Sequence, residues 1–283
     1  MLQFLQKTLP QRLCVAMLLI LAGTACAQTP SNYSFAVVPQ YSATELYKDW
    51  APLLERISRQ TGVRLELKVA TSIPKFEAEF IKGTPDFAYM NPYHAVLAKQ
   101  AHGYVPLLRD SKPLSGILVV RQDSPYQSVH DLNGQTVAFP APNSFGASLY
   151  MRALLTETFS IKFESSYLGT HSNVFRHVAR NEMAAGGSVE AAFNDEVTQV
   201  REQLRVIYKT PEVASHPVVV HPRVADRVRK SVTSAFLALA QDEAGRTLLK
   251  GIRTPAPVVA NYEHDYLPLE KLKLQKYLVL EKE

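Results

Sequence analysis

Apolar residues along the chain follow two periods, one typical of helices and one typical of strands. Over 46–57 they recur every three or four positions, as on one face of a helix, and Gly62 follows as a stop signal. Over 63–69 they alternate with charged residues, as in a half-buried strand. The same patterns predict strands at 34–38, 63–69, 86–90, 105–108, 117–120, 136–139, 164–168, 189–193 and 204–208, an apolar run at 216–220, and helices at 46–57, 73–82, from 92, and at 144–158, 171–181, 195–203, 222–240 and 242–251.

The order of these segments predicts an α/β protein. Strands that alternate with helices of about 10–15 residues are typical of parallel sheets flanked by helices. The 256 residues after position 27 of this 283-residue chain lie near the size at which a single hydrophobic core stops growing, so we expect two lobes. Gly186 and Gly187 precede a predicted strand and are interpreted as a turn. The segment 271–276 is interpreted as the solvated face of a terminal helix.

The first 27 residues have the composition of a secretory signal peptide. Lys7 and Arg12 precede an apolar run over 13–22, and the sequence Ala-Cys-Ala at 25–27 fits an A-x-A cleavage site. The run is shorter than the roughly 18 apolar residues typical of a membrane-spanning helix. Cleavage after residue 27 predicts an exported protein in a bacterial periplasm, and a lipoprotein acylated at Cys26 is the alternative. Both cysteines lie in the first 26 residues, so the exported chain is expected to fold without disulfides.

Charge and motifs argue against several function classes. The formal net charge of +5 includes Lys7 and Arg12, and the other basic residues are scattered rather than gathered in the one-sided stripe of a nucleic-acid binder. The sequence contains no H-E-x-x-H, no cysteine spacing for zinc, no P-loop and no G-x-S-x-G. We therefore expect no catalytic residues, no metal site, no cofactor and no nucleic-acid partner.

Several sequence blocks, taken in order, resemble the periplasmic phosphate-, phosphite- and phosphonate-binding proteins of ABC importers. The resemblance covers nearly all of the chain after the predicted signal peptide. The blocks are FAVVP (35–39), WAPLL (50–54), DFAYMNPY (86–93), SGILVVRQDSP (115–125), DLNG (131–134), VAF (137–139), PNS (142–144), GTH (169–171) and LRVIYKTP (204–211).

The resemblance implies the type II periplasmic binding protein fold. In that fold two lobes, each a mostly parallel sheet flanked by helices, are joined by two crossing segments, which we place near 113–120 and 209–218. One lobe is expected to comprise 33–114 with 219–283, and the other 115–216. The ligand is expected in the cleft, where helix N-termini of both lobes converge, and the lobes are expected to close about the hinge.

Ten residues are candidate ligand contacts. Asn143 and Ser144 begin a predicted helix whose unpaired N–H groups and positive dipole end suit an oxyanion; the alternative is that they only cap the helix. Relatives that bind phosphonates often carry Ser-Thr-Ser-Gly here, whereas this chain has Phe145 and Ala147 between its two serines. The candidates are Tyr41, Asn91, Tyr93, Ser115, Asn143, Ser144, Ser148, His171, Ser172 and Asn194.

The candidates of the first lobe follow from their places in the predicted elements. Tyr41 lies between the first strand and the first helix, and Asn91 and Tyr93 open a helix directly after a strand. A tyrosine at such a place either contacts a ligand or serves as a half-buried aromatic anchor. Both interpretations stay open for Tyr41 and Tyr93.

The remaining candidates lie at the first crossing and in the second lobe. His171 begins a helix and matches a histidine of the family pattern, with a structural role as the alternative. Ser172 stands where an amine-binding relative can carry a carboxylate, which argues against an aminoalkyl phosphonate. Ser115 borders the cleft at the first crossing, and Asn194 ends a predicted strand.

The resemblance implies a substrate-binding component that captures a small oxyanion, of the phosphate, phosphite or phosphonate class, and delivers it to an inner-membrane ABC permease. We expect a monomer that performs no chemistry. The alternative is a periplasmic sensor that feeds a membrane receptor or kinase, since both outputs use the same cleft. A periplasmic enzyme acting on a phosphorylated compound needs a metal site or a nucleophile–base pair, and the sequence shows neither pattern.

Overall fold

Eleven strands form two separate sheets within residues 32–279, the part of the chain that the computed structural model describes. The signal peptide predicted at 1–27 lies outside the described residues. The strands are β1 (Asn32–Val37), β2 (Arg64–Val69), β3 (Phe87–Tyr89), β4 (Val105–Asp110), β5 (Gly116–Arg121), β6 (Thr136–Phe139), β7 (Glu164–Tyr167), β8 (Ala185–Val189), β9 (Leu204–Lys209), β10 (Pro217–Val220) and β11 (Pro257–Val259).

Helices connect the strands, and several begin at a side-chain cap. Ser42, Ser72, Asn91, Thr170 and Asp242 each accept a hydrogen bond from the backbone N–H three residues later, which satisfies a donor that the first helical turn leaves free. The helices are α1 (Ala43–Thr61), α2 (Ile73–Ile81), α3 (Pro92–His102), α4 (Tyr150–Ala153), α5 (His171–Ala179), α6 (Glu190–Asp195), α7 (Thr198–Arg201), α8 (Asp226–Ala238), α9 (Glu243–Gly251) and α10 (Tyr262–Asp265), with 3₁₀ turns at Val129–Leu132, Leu239–Gln241, Leu267–Leu272 and Leu274–Tyr277.

Both sheets are mixed, and most strands of each point one way. The first sheet has the order β11-β4-β10-β3-β1-β2, and the second has the order β7-β6-β8-β5-β9. β1 pairs in parallel with β2 and β3, which places Phe35 opposite Phe87, whereas β10 is antiparallel to β3 and β4. In the second sheet β5 is antiparallel to both neighbours, β8 and β9. The predicted two-lobed α/β architecture is confirmed, and we call the parts built on the first and second sheets lobe 1 and lobe 2.

Two crossing segments connect the lobes, from β4 to β5 and from β9 to β10. The segments lie side by side, because the Leu114 N–H donates to Val213 O at 2.8 Å and the Val213 N–H donates back to Leu114 O at 3.0 Å. The Gly116 N–H adds a bond to Thr210 Oγ1 at 2.9 Å. The lobe boundaries stated above stay a prediction.

The apolar core of lobe 1 extends into lobe 2. It is built around Phe35, whose ring centroid lies 5.3 Å from that of Trp50, and it also contains Phe145, Leu149 and Tyr150, which follow β6 of lobe 2. Lobe 2 has two further clusters of its own on the two sides of its sheet. The lobes are therefore packed together along one shared edge.

The predicted strand at 189–193 is wrong. The strand is β8 (Ala185–Val189), and the chain turns helical at Glu190. Gly186 and Gly187, interpreted above as a turn, lie inside this strand. A Cβ at Gly187 would stand 2.2 Å from the Ala147 carbonyl oxygen, so the sheet packs against the neighbouring helix too closely for a side chain.

Two predicted helices differ in kind from what the structure shows. The helix predicted at 144–158 consists of α4 between two π-helical turns, Phe145–Leu149 and Leu154–Thr158. The terminal segment 271–276 forms parts of two 3₁₀ turns instead of a regular helix, and Leu274 within it is fully buried.

Candidate functional site

A cleft lies between the two lobes, beside the crossing segments. It consists of two adjoining cavities of about 320 Å³ and about 360 Å³. Both cavities are lined by Gln40, Tyr41, His171, Asp195 and Arg253. The first also reaches the two crossing segments, so the cleft lies beside the hinge and has walls from both lobes.

Five of the ten candidate residues lie on this cleft. Tyr41 and His171 line both cavities, Ser115 and Asn194 line the first, and Ser172 lines the second. Tyr41 comes from lobe 1, Ser115 from the first crossing, and the other three from lobe 2. The structure therefore brings together residues that are far apart in sequence, and their contact with a ligand stays a prediction.

The other five candidates lie in a buried contact between the lobes and do not line either cavity. The Asn143 side chain donates to Glu77 Oε2 at 2.7 Å, and the Asn91 side chain donates to the Asn143 carbonyl at 3.3 Å. The side-chain amides of Asn91 and Asn143 are thus used within the protein. The five residues, all buried, are Asn91, Tyr93, Asn143, Ser144 and Ser148.

Phe145 explains part of this arrangement. Its ring is buried, lies parallel to that of Tyr93 at a centroid distance of 6.4 Å, and stacks on Tyr150 at 5.6 Å. An apolar ring thus fills the space beside the start of this helix. Ser148 is engaged as well, because its Oγ accepts from Arg152 Nε at 3.2 Å. A ligand role for these five residues stays a prediction, and the cavity lining does not add support to it.

Two helix N-termini, one from each lobe, meet at the second cavity. Ser42 caps α1 and accepts from the Glu45 N–H at 3.3 Å, and Thr170 caps α5 and accepts from the Asn173 N–H at 3.1 Å. Both capping residues line the cavity, as do Glu45 and Ser172 in the first turns of these helices. The first-turn N–H groups and the positive dipole ends of α1 and α5 therefore converge where an anion would be stabilised.

Arg253 is a site residue that sequence analysis missed. Its guanidinium carbon lies 3.7 Å from the centroid of the Tyr41 ring, a close cation–π contact. Nη2 donates to Glu45 Oε1 at 2.8 Å and Nη1 to Asp49 Oδ2 at 3.4 Å, which fixes the guanidinium at the mouth of the cleft. Arg253 has a φ of 59°, in the left-handed region that a residue with a side chain rarely adopts. The only local signal is its position just after a helix, and Asp49 lies 204 positions away in sequence.

The tyrosine beneath Arg253 is held in its neutral form. Burial raises the pKa of the Tyr41 hydroxyl, and the positive charge of Arg253 opposes that rise. Tyr41 therefore keeps its proton at neutral pH. The hydroxyl can donate a hydrogen bond to an acceptor in the cleft.

Two buried histidines, His171 at the start of α5 and His216 in the second crossing, line the cleft. His171 Nδ1 lies 2.8 Å from Ser188 Oγ, and burial, assisted by the nearby charge of Arg253, lowers the pKa of His171 to about 4. His216 Nε2 lies 2.8 Å from Gln40 Nε2, and burial lowers the pKa of His216 to about 3. Both imidazoles are neutral at neutral pH. Each can offer a hydrogen bond to a ligand without adding a charge.

The charges on the cleft wall are mixed in sign. Lys112 and Lys250 line the first cavity together with Asp110 and Glu190. The Asp110 carboxylate accepts from two backbone N–H groups, those of Lys112 at 2.7 Å and Ala256 at 2.9 Å, so it has structural partners of its own. Among residues 32–279 no group of three or more His, Cys, Asp or Glu side chains is placed to hold a metal ion. None of the helices in that range is long and apolar enough to cross a membrane.

Comparison with known proteins agrees with this architecture. A family model described as "ABC transporter, phosphonate, periplasmic substrate-binding protein" matches residues 35–266. The phosphate-import protein PhnD of Mycolicibacterium smegmatis is 22% identical over 233 residues, which cover 73% of each chain.

Solved structures share the fold. The binding-protein component of an ABC phosphonate transporter from Pseudomonas aeruginosa superposes with a TM-score of 0.75 at 17% identity, over 88% of both chains. PhnD1 from Prochlorococcus marinus, solved in complex with methylphosphonate, superposes with a TM-score of 0.78 at 16% identity, over 87% of this chain and 99% of PhnD1. These likenesses confirm the type II fold that the sequence resemblance implied.

The family model spans most of the chain, and the described part of the chain has the two lobes, the paired crossings and the cleft that this family requires. The sensor alternative is not favoured, because the matched family consists of transport components. The chain belongs to the phosphonate-binding family of periplasmic substrate-binding proteins of ABC transporters.

Proposed function

We propose that the cleft captures a small oxyanion of the phosphate, phosphite or phosphonate class between Tyr41 of lobe 1 and His171 of lobe 2. The single observation that carries the proposal is the convergence of the α1 and α5 N-termini on one cavity that Arg253 also lines. The names of the relatives support the ligand class, since one is a phosphate importer and another was solved with methylphosphonate.

Each wall of the cleft contributes a different kind of donor. Lobe 1 offers the Tyr41 hydroxyl and the Arg253 guanidinium, and lobe 2 offers the His171 imidazole and the Asn194 side chain. The Ser172 hydroxyl donates to Glu196 at 2.5 Å, so it lines the cavity with its proton already engaged. Arg253 supplies the positive charge, and the neutral groups supply directional hydrogen bonds. Ser115, at the first crossing, adds a hydroxyl beside the hinge to these groups.

Capture and delivery follow from the two-lobed fold. A ligand that touches both walls stabilises the arrangement in which the walls are close, so it shifts the population towards closed molecules. The lobes in this proposal comprise 33–114 with 219–283 and 115–216. The closed form would dock on an inner-membrane permease, as expected of the binding component of an importer. We also propose that the protein performs no chemistry and acts as a monomer, exported by the signal peptide at 1–27.

Isothermal titration of the protein with methylphosphonate tests the proposal. Arg253→Gln should raise the dissociation constant at least tenfold, since a hydrogen bond to a charged group contributes about 1.5–3 kcal/mol. Arg121→Gln is the matched control, because Arg121, the last residue of β5, makes an exposed ion pair with Asp123 and does not line the cleft. Failure of the wild-type protein to bind methylphosphonate, phosphate or phosphite would reject the proposed ligand class.

A further inference from the structure

The chain after β11 is anchored to lobe 1 and then reaches lobe 2. Asp265 pairs with Arg109 of β4 at 2.9 Å, and Lys99 of α3 lies 5.4 Å from the centroid of the Tyr262 ring. Leu274 is fully buried in the lobe 1 core. Lys273, at a φ of 47°, redirects the chain just before it leaves the lobe. We call the following residues, 276–279, the strap.

The strap makes five polar contacts with lobe 2. The Asn143 side chain bonds the backbone of Val279 in both directions, accepting from its N–H at 2.9 Å and donating to its carbonyl at 2.9 Å. Arg152 Nη2 donates to the Tyr277 carbonyl at 2.8 Å. Glu157 pairs with Lys276 Nζ at 2.6 Å and also accepts from the Tyr277 hydroxyl.

Arg152 of lobe 2 needs the strap for one of its hydrogen bonds. Arg152 is only 9% exposed, and its other hydrogen bonds go to the Pro142 carbonyl and Ser148 Oγ. Burial lowers the pKa of Arg152. Removing the Tyr277 carbonyl would leave part of a buried cation without an acceptor, which disfavours the arrangement.

The same place holds the direct contact between the lobes. Asn143 of lobe 2 donates to Glu77 of lobe 1 at 2.7 Å, and Tyr93 of lobe 1 stacks on Phe145 of lobe 2. The strap therefore fastens the edge along which the lobes are packed. None of its residues lines the cleft cavities.

We propose that the strap is a third link between the lobes, separate from the two crossings, that holds them together at Asn143 and so regulates the cleft. A two-lobed binding protein with only its crossings is free to rotate about them. A link across the contact edge limits that rotation and raises the fraction of molecules in a binding-competent arrangement, which strengthens the apparent affinity in proportion. The affinity part of this inference rests on the proposed function.

The experiment compares two variants that release the strap. One ends the chain at Gln275, which removes the strap and keeps Leu274 in place. The other, Glu157→Gln, weakens the contacts of Lys276 and Tyr277 through a side chain that is 52% exposed. Asp226→Asn is the matched control, because it weakens an exposed ion pair with Lys230 that lies within lobe 1.

Distances between spin labels at the exposed positions Lys48→Cys and Gln199→Cys report the separation of the lobes. The two native cysteines, at positions 14 and 26, are replaced by serine. In ligand-free protein the truncated variant should broaden the distance distribution towards longer values, and its dissociation constant for methylphosphonate should rise at least about threefold. Glu157→Gln should move both quantities in the same direction by less, and Asp226→Asn should move neither.

An unchanged distance distribution in both strap variants overturns the inference, and so does a broadened distribution with an unaltered dissociation constant. If the truncated chain does not fold, Glu157→Gln carries the test on its own. The ligand-free distances do not depend on the ligand class. A wild-type protein that binds no oxyanion would therefore reject the proposed function and leave the distances to decide on the strap.

Discussion

Gly187 shows how a single residue can mislead sequence interpretation. Two consecutive glycines before an apolar run are typical of a turn, because glycine favours turns and weakens strands. Here they are required for packing, since a Cβ at Gly186 would stand 2.5 Å from Val174 Cγ1 and one at Gly187 would stand 2.2 Å from the Ala147 carbonyl oxygen. The sequence shows that these positions have no side chain, but it does not show which atoms of the folded protein leave no room for one.

Gly187→Ala should therefore destabilise the protein. The neighbours are a backbone carbonyl and the Phe139 ring, which cannot yield without moving the helical segment after β6, so a loss of at least about 1–3 kcal/mol is expected. Urea unfolding measures it. Gly251→Ala is the matched control: its Cβ would meet nothing closer than 3.7 Å, and alanine suits the helix better, so stability should stay the same or rise. Equal effects of the two substitutions would contradict the packing explanation.

His171 links the cleft to the stability of the fold. Its pKa falls from 6.5 to about 4 in the folded protein, so the unfolded chain binds a proton that the folded chain does not bind in this range. The free energy of unfolding should therefore fall as the pH is lowered from about 6.5 towards 4, by up to about 1.4 kcal/mol per pH unit from this group. Above pH 7 the titration of His171 does not change the free energy of unfolding.

Denaturant unfolding of ligand-free protein between pH 4 and 7 tests this expectation. His171→Asn should make the dependence on pH shallower without abolishing it, because one of the two buried histidines with a lowered pKa is gone and His216 remains. The same substitution at the exposed His130 controls for the loss of an imidazole. A slope that is identical in wild type and His171→Asn would show that His171 accepts a proton as readily in the folded state as in the unfolded state.

At the scale of elements, most of the architecture was predictable because it depends on local patterns. Helix α1 and strand β2 each have a clear apolar period, and Ser42 caps α1. Both elements form where those signals lie. The strand predicted at 189–193 failed because its apolar residues belong to the short helix α6, where only Ala192 is buried. The π-helical turns on both sides of α4 leave no clear mark in the sequence, since the same apolar residues fit an α-helix.

The candidate site residues also fall into two groups, those that local sequence patterns identify and those that depend on tertiary packing. Tyr41 and His171 lie at helix starts just after strands, places that sequence patterns can identify, and both line the cleft. Arg253 could not be predicted, because its partners Glu45 and Asp49 belong to α1 and lie about two hundred positions away. The local sequence around Asn143 is typical of an anion-binding helix start. The Asn143 side chain, however, donates hydrogen bonds to Glu77 and to the Val279 carbonyl, and these contacts depend on tertiary packing.

The cap of α5 gives a prediction at this scale. Thr170→Ala removes the acceptor for the Asn173 N–H at the helix start and should destabilise the protein by about 1 kcal/mol. Because the first turn of α5 also carries His171 and Ser172, binding of methylphosphonate should weaken as well. Thr170→Ser keeps the hydroxyl and should preserve both quantities. Loss of stability without loss of affinity would show that the ligand does not use the N-terminus of α5.

For the whole molecule, the decisive question is which net charge the cleft accepts. The α1 and α5 N-termini and Arg253 favour an anion, whereas Glu45, Asp195 and Glu196 on the same cavity favour a cation. Glu45 is paired with Arg253, and Glu196 accepts from Ser172 and lies 4.0 Å from Arg176. Two of the three acids therefore have partners, and the helix dipoles should dominate.

The change in melting temperature on adding a ligand tests whether the cleft prefers an anion or a cation. An oxyanion at 100 times its dissociation constant should stabilise the protein by about 2.7 kcal/mol, which raises the melting temperature by several degrees in a chain of this size. Methylphosphonate, phosphate and phosphite are compared at equal ionic strength with a small quaternary amine, and a tenfold weakening in Arg253→Gln should remove about half of the anion effect at the same ligand concentration. If the amine alone raises the melting temperature, Asp195, which has no ion-pair partner among residues 32–279, and its neighbours set the potential of the cleft, and this binding protein carries a cation.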